Sequence, residues 1–217
     1  MDITLYQFPG ACSRVTMNAL EELDLRFDDV LVNLRILEQK ASDYLAINPR
    51  GKVPALQIGG DVLTENAAIL WTLHSLHPSG GLFPAITDAL GNHRFRADLA
   101  WCSGTLHPIV RQIRMPQKWT TGEPEDVRAH GVETLLGECA TLSERIDEGW
   151  WYGEAWSIID TYLYWGYSTA EKGGFPLDRF PVLMAHAERV RARPSFQRTL
   201  ARERAALERS GIVGVQL

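Results

Sequence analysis

Val53-Pro54-Ala55-Leu56-Gln57-Ile58-Gly59-Gly60-Asp61-Val62-Leu63 contains two β-prone runs joined by Gly-Gly, the pattern of a hairpin. Working back from it, a mostly polar helical stretch covers about Leu37 to Ala46, and Phe27 to Val32 reads as a strand. Before that, Val15, Met17, Leu20 and Leu23 recur at helical spacing between Ser13 and Leu25. Ile3-Thr4-Leu5-Tyr6 is a first short strand, closed by the Pro9-Gly10 break. Working forward, Glu65 to His77 is helical again and Pro78-Ser79-Gly80-Gly81 ends it. The order is βαβαββα. Its first half predicts a parallel pair with a right-handed crossover, and the hairpin adds antiparallel strands.

After the linker from Pro78 to Pro84 strand signals nearly vanish. Asp88–Met115, Glu125–Glu148, Ser157–Glu171, Val182–Arg191 and Pro194–Arg209 all read as helices. Composition and period change together near residue 82. That change predicts an α/β domain over 1–81 and an all-α domain over 82–217.

The 217 residues are 45% hydrophobic, ample for the cores of one or two domains. Lys and Arg number 22 against 27 Asp and Glu, a net charge of −5, which excludes the dense basic surface of a nucleic-acid binder. No stretch reaches the roughly 18 apolar residues of a membrane span. The N-terminal MDITLYQF has neither the basic nor the apolar region of a signal peptide. Cys12, Cys102 and Cys139 are odd in number and widely spaced, so neither a disulfide framework nor a Cys-x-x-Cys metal pair is suggested. A cytoplasmic protein in a reducing compartment, with no metal, is expected.

Pro9-Gly10-Ala11-Cys12-Ser13-Arg14-Val15 places a cysteine where a strand turns into a helix. A helix N-terminus presents unpaired N–H groups and a partial positive charge, which favour a thiolate or another anion at that point. The turn suits thiol chemistry, with Cys12 as the sulfur or with a bound thiol ligand.

Three segments in this order resemble the cytosolic glutathione transferases, in particular the bacterial beta class. They are Pro9-Gly10-Ala11-Cys12-Ser13, Asn48-Pro49-Arg50-Gly51-Lys52-Val53-Pro54-Ala55-Leu56, and Leu63-Thr64-Glu65-Asn66-Ala67-Ala68-Ile69. With the five helices that follow, the resemblance spans nearly the whole chain. It implies a thioredoxin-like N-terminal domain that binds glutathione and a helical domain that contributes the second-substrate pocket.

The resemblance also implies roles. A cis Val53-Pro54 peptide would turn the Val53 backbone groups toward the cysteinyl unit of glutathione. Glu65 and Asn66, at a helix start, would hold the γ-glutamyl end: the Glu65 carboxylate its ammonium, the helix N-terminus its carboxylate. Asn66 is also a good N-cap type. Arg35, Lys40 and Lys52 are candidates for the glycyl carboxylate. At the sulfur, Cys12 is the strongest match; Ser13 offers a hydroxyl beside it, and Tyr6 lies one residue out of register with the beta-class tyrosine. His107 matches a histidine that beta-class enzymes direct at the active-site cysteine. Pro108 beside it should bend or break the helix. Arg111, Arg114, Met115 and Trp119 are candidate walls for the second pocket, while Ser157 and Asp160 read as a structural capping box. Cys102 and Cys139 read as inert.

The function so implied is glutathione S-transferase. Its thiolate would be transferred to an apolar or aromatic electrophile, as in detoxification, or Cys12 would support thiol exchange and reduction. A second reading is a glutathione-dependent isomerase, dehalogenase or ether-cleaving enzyme of aromatic catabolism. A third is a non-catalytic binding protein on the same scaffold. A homodimer is implied by the family.

Overall fold

The computed structural model describes residues 2–85, 90–146 and 149–217. The chain divides into two compact units, Met1–Leu82 together with Arg193–Leu217, and Phe83–Ala192.

The first unit holds strands β1 (Ile3–Gln7), β2 (Asp28–Leu31), β3 (Ala55–Ile58) and β4 (Asp61–Thr64), and helices α1 (Ser13–Glu22), α2 (Ser42–Ile47) and α3 (Asn66–Leu76). The sheet order is β2-β1-β3-β4. β1 runs parallel to β2, pairing Leu5 with Asp29, and antiparallel to β3, pairing Leu5 with Leu56. The hairpin closes with Ile58 opposite Asp61. The parallel pair and the antiparallel hairpin are those that the βαβαββα order predicts, and the arrangement is the thioredoxin-like one that the resemblance implies. The polar helical stretch is shorter than its pattern suggests. Two 3₁₀ turns, Leu34–Ile36 and Glu38–Lys40, precede α2, because Leu37 adopts left-handed φ 61° and Ala41 is extended.

Leu5, Val15, Leu20, Leu56, Ile69 and Leu70 are fully buried in this unit. Each such side chain contributes about 1.5–3 kcal/mol of transfer free energy. α1 is buried from Ser13 through Glu21, polar residues included. That is possible because a helix from the end of the chain, α9 (Pro194–Ser210), packs against it. α9 supplies partners for the polar face. Glu203 meets Arg14, Ser195 and Thr199 meet Asn18, and Arg198 and Arg202 meet Glu21. Periodicity alone assigns α9 to the 82–217 segment, whereas packing joins it to the first unit.

The second unit contains α4 (Gly91–Trp101), α5 (His107–Arg114), α6 (Pro124–Ile146), α7 (Ile158–Glu171) and α8 (Pro181–Ala192). The expected helices at 88–115 and 125–148 have their ends, 88–89 and 147–148, outside the described residues. A π-helical turn, Cys102–Leu106, separates α4 from α5 immediately before His107-Pro108. Proline has no N–H to donate, and the helix accommodates it by widening rather than breaking. α7 is buried along nearly its whole length. Its start is fixed by Asp160, whose carboxylate accepts from the Ser157 N–H at 2.8 Å, the Ser157 hydroxyl at 2.9 Å and the Trp151 N–H at 2.7 Å. His186 Nε2 lies 3.0 Å from the same carboxylate, and its Nδ1 is 2.7 Å from the Tyr167 hydroxyl.

Candidate functional site

Cys12 is the N-cap residue of α1 and is 9% exposed. The turn that carries it is tied on every side. Gly10 takes φ 77°, a left-handed conformation that admits glycine at little cost. The Ala11 N–H donates to the Phe8 carbonyl at 3.0 Å, and the Val15 N–H donates to the Cys12 carbonyl at 3.1 Å. The Cys12 thiol lies 3.5 Å from the Val53 carbonyl oxygen. The Val53-Pro54 peptide is cis. Loop 48–53 is pinned from behind, where the Tyr44 hydroxyl and the Asn48 amide both donate to the Lys52 carbonyl at 2.7 Å.

The neighbours of Cys12 are arranged unevenly for chemistry. Ser13 is fully buried, and its Oγ bonds to both the N–H and the carbonyl of Phe8 at 3.2 Å. The hydroxyl therefore closes the turn. Tyr6 Oη donates to Gln57 at 3.4 Å across to β3.

At the start of α3 the structure corrects the capping expectation. Glu65 is the N-cap, with φ 67°, and Asn66 is the first helical residue. Positive φ in a non-glycine residue is uncommon and concentrates at functional positions. The Glu65 carboxylate is about half exposed and pairs with Arg50 at 3.1 Å. Asn66 is 5% exposed; its amide donates to the Cys12 carbonyl at 2.8 Å, and its Oδ1 accepts from Thr16 at 2.6 Å. The helix that presents Glu65 is thus hydrogen-bonded directly to the cysteine turn. Cys12, Val53 and the α3 N-terminus form one connected group, with Lys52 exposed at its rim.

The cationic candidates separate. Arg35 donates to the carbonyls of Val213 at 2.6 Å and Gly214 at 2.7 Å, so its guanidinium holds the segment after α9. Lys40 Nζ reaches the Arg50 carbonyl at 3.3 Å. The residues that periodicity did not single out are Thr16, which orients Asn66, and Glu203, which reaches this turn from α9. The signal for Glu203 is a carboxylate on the inward stripe Phe196, Thr199, Leu200, Ala206 of an amphipathic helix.

In the second unit His107 begins α5, half-buried, with its ring 4.6 Å from that of Trp165. Arg114 donates to the Lys172 carbonyl at 2.5 Å, and burial lowers its pKa. Trp119 is 47% exposed. Cys102 and Cys139 are buried; desolvation raises the first thiol well above its ordinary value and pushes the second up to about 12. Both are inert as nucleophiles at neutral pH. Among the described residues no group of three or more His, Cys, Asp and Glu is placed to hold a metal.

Residues 1–71 match the family model of the glutathione S-transferase N-terminal domain. Glutathione S-transferase GST-4.5 of Xanthomonas campestris is 30% identical over 92% of this chain and 98% of its own. A glutathione transferase homologue from Sulfitobacter, solved with bound glutathione, superposes with a TM-score of 0.80 at 29% identity, covering 97% of this chain and 99% of its own. A bacterial beta class glutathione S-transferase of Sphingomonas chungbukensis gives 0.78 at 27% identity, covering 92% of this chain and 98% of its own. These likenesses extend over almost the whole length of the protein, and the chain belongs to the glutathione S-transferase family.

Proposed function

We propose that the protein is a glutathione transferase whose first unit binds glutathione beside Cys12. The observation that carries this reading is the junction of the Cys12 thiol, the Val53 carbonyl and the N-terminus of α3, linked at 3.5 and 2.8 Å. The cysteinyl backbone of glutathione pairs with Val53, next to Pro54. Its γ-glutamyl carboxylate meets the first N–H groups of α3, at Asn66, and its ammonium meets Glu65. Lys52 takes the glycyl carboxylate; Arg35 is already engaged by two carbonyls.

Lowering the glutathione thiol by two pKa units asks for about 3 kcal/mol. One or two hydrogen bonds and the positive end of α1 supply an amount of that order. The thiolate then attacks the carbon of an apolar or aromatic electrophile, and the leaving group departs with the bonding pair. With glutathione disulfide, the Cys12 thiolate attacks one sulfur, forms a mixed disulfide and releases glutathione thiolate. We assign the glutathione site to 1–81 and the second-substrate role to the helical segment after residue 82, where His107 is a side chain able to take up or release a proton. A cytoplasmic homodimer acting in detoxification fits this reading.

The test uses glutathione disulfide and intact-mass spectrometry. The wild-type protein gains one glutathionyl adduct, and Cys12→Ala gains none. Conjugation of an aryl halide that survives Cys12→Ala but is lost in Ser13→Ala would move the sulfur chemistry to the hydroxyl.

A further inference from the structure

We infer that Glu203, on α9, is the positioning residue for the Cys12 turn, an assignment that rests on the proposed role of Cys12. Its carboxylate is fully buried and divides its two oxygens around that turn. Oε1 accepts from the Gly10 N–H at 2.9 Å. Oε2 accepts from Arg14 Nε at 2.9 Å and Arg14 Nη2 at 2.5 Å. One side chain thus grips the backbone two residues before Cys12 and the side chain two residues after it, 193 and 189 positions away in sequence.

Two features separate positioning from general support. α9 is held against the rest of its unit without Glu203, through Arg198 and Arg202 on Glu21, Arg209 on Asp29, and Ser195 and Thr199 beside Asn18. The bond to Gly10 falls where the chain is left-handed and can shift most readily if released. A charged group at this depth is costly unless fully paired, and a Leu or Met would fill an inward position of α9 at lower desolvation cost. A carboxylate there is explained by its bond to the turn.

Removing Glu203 alone strands the buried Arg14 guanidinium and endangers folding, so the test neutralises both partners. Arg14→Met with Glu203→Gln keeps an acceptor for the Gly10 N–H, whereas Arg14→Met with Glu203→Met does not. The two double variants differ at that bond. Two rates are measured on folded protein at one pH: iodoacetamide alkylation mapped to Cys12, and turnover with glutathione and an aryl halide. The Gln double variant is the reference for both rates, because Arg14→Met alone would leave the Glu203 carboxylate buried without its cation. The Met variant melts cooperatively but falls about tenfold or more in kcat, with KM for glutathione little changed, because small misplacements at a reacting group cost orders of magnitude. Its Cys12 alkylation rate also departs from that of the Gln variant. Equal alkylation rates and equal kcat in the two doubles overturn the assignment. If wild-type protein shows no glutathione chemistry while the alkylation rates still differ, the proposed function fails and the positioning role stands.

Discussion

Asn66 donates from its side-chain amide to the carbonyl oxygen of Cys12 at 2.8 Å, so the first residue of one helix holds the residue that caps another. The two residues are 54 positions apart, and the bond is buried. It couples the helix start proposed to receive the γ-glutamyl group to the cysteine proposed to act on the sulfur.

Asn66→Ala leaves the Thr16 hydroxyl without its partner, while the Cys12 carbonyl keeps the Val15 N–H, so the cost is about 1–3 kcal/mol for one buried polar group left unsatisfied. Urea unfolding should report a loss in that range. Asn66→Asp keeps the acceptor for Thr16 but turns an oxygen toward the Cys12 carbonyl, so it should slow Cys12 alkylation more than its stability loss explains. A Cys12 rate unchanged in both variants removes the coupling.

Native-state thiol labelling should separate the cysteines. Cys102 and Cys139 are buried with raised pKa values, the second near 12. At pH about 8 iodoacetamide should modify Cys12 alone, and the other two only after unfolding. Rapid native labelling of Cys139 would contradict the described packing.

Arg35→Ala should release the segment around Val213 and Gly214, seen as faster amide exchange there, and change the affinity for glutathione by less than about threefold. Lys52→Ala should weaken that affinity by about threefold to tenfold, the range for one exposed charge on a carboxylate. The reverse order would return the glycyl role to Arg35.

Burial lowers the pKa of His74 from its ordinary 6.5. As pH falls below about 6.5 the unfolded chain binds a proton that the folded chain resists. Stability carried by neutral His74 is therefore complete above that pH and lost as pH drops toward the lowered folded value. His74→Gln should flatten the fall in urea midpoint between pH about 7 and about 5.5. An identical slope in both proteins would show that other groups govern it.

The hairpin at 53–63 and the long helices were legible because alternation, helical spacing and Gly-Gly punctuation are local signals. The Cys12 turn was legible for the same reason. Three things were not. Leu37 takes a left-handed conformation and Ala41 an extended one that no local pattern demands, and the break at Ala41 split the expected helix. The π turn at Cys102–Leu106 has no period of its own to read. The placement of α9 depends on partners such as Glu203 with Arg14 and Arg198 with Glu21, which meet across more than 170 residues. Arg35 illustrates the same limit: a cation beside a binding loop suggests a ligand, while its carbonyl partners lie 178 and 179 positions away.

Isothermal titration of glutathione into the folded protein tests the central claim most directly. The account predicts saturable heat with one site per chain, weakened by Glu65→Ala. A flat titration with folded wild-type protein would contradict it, because the junction at Cys12, Val53 and α3 would then hold no tripeptide.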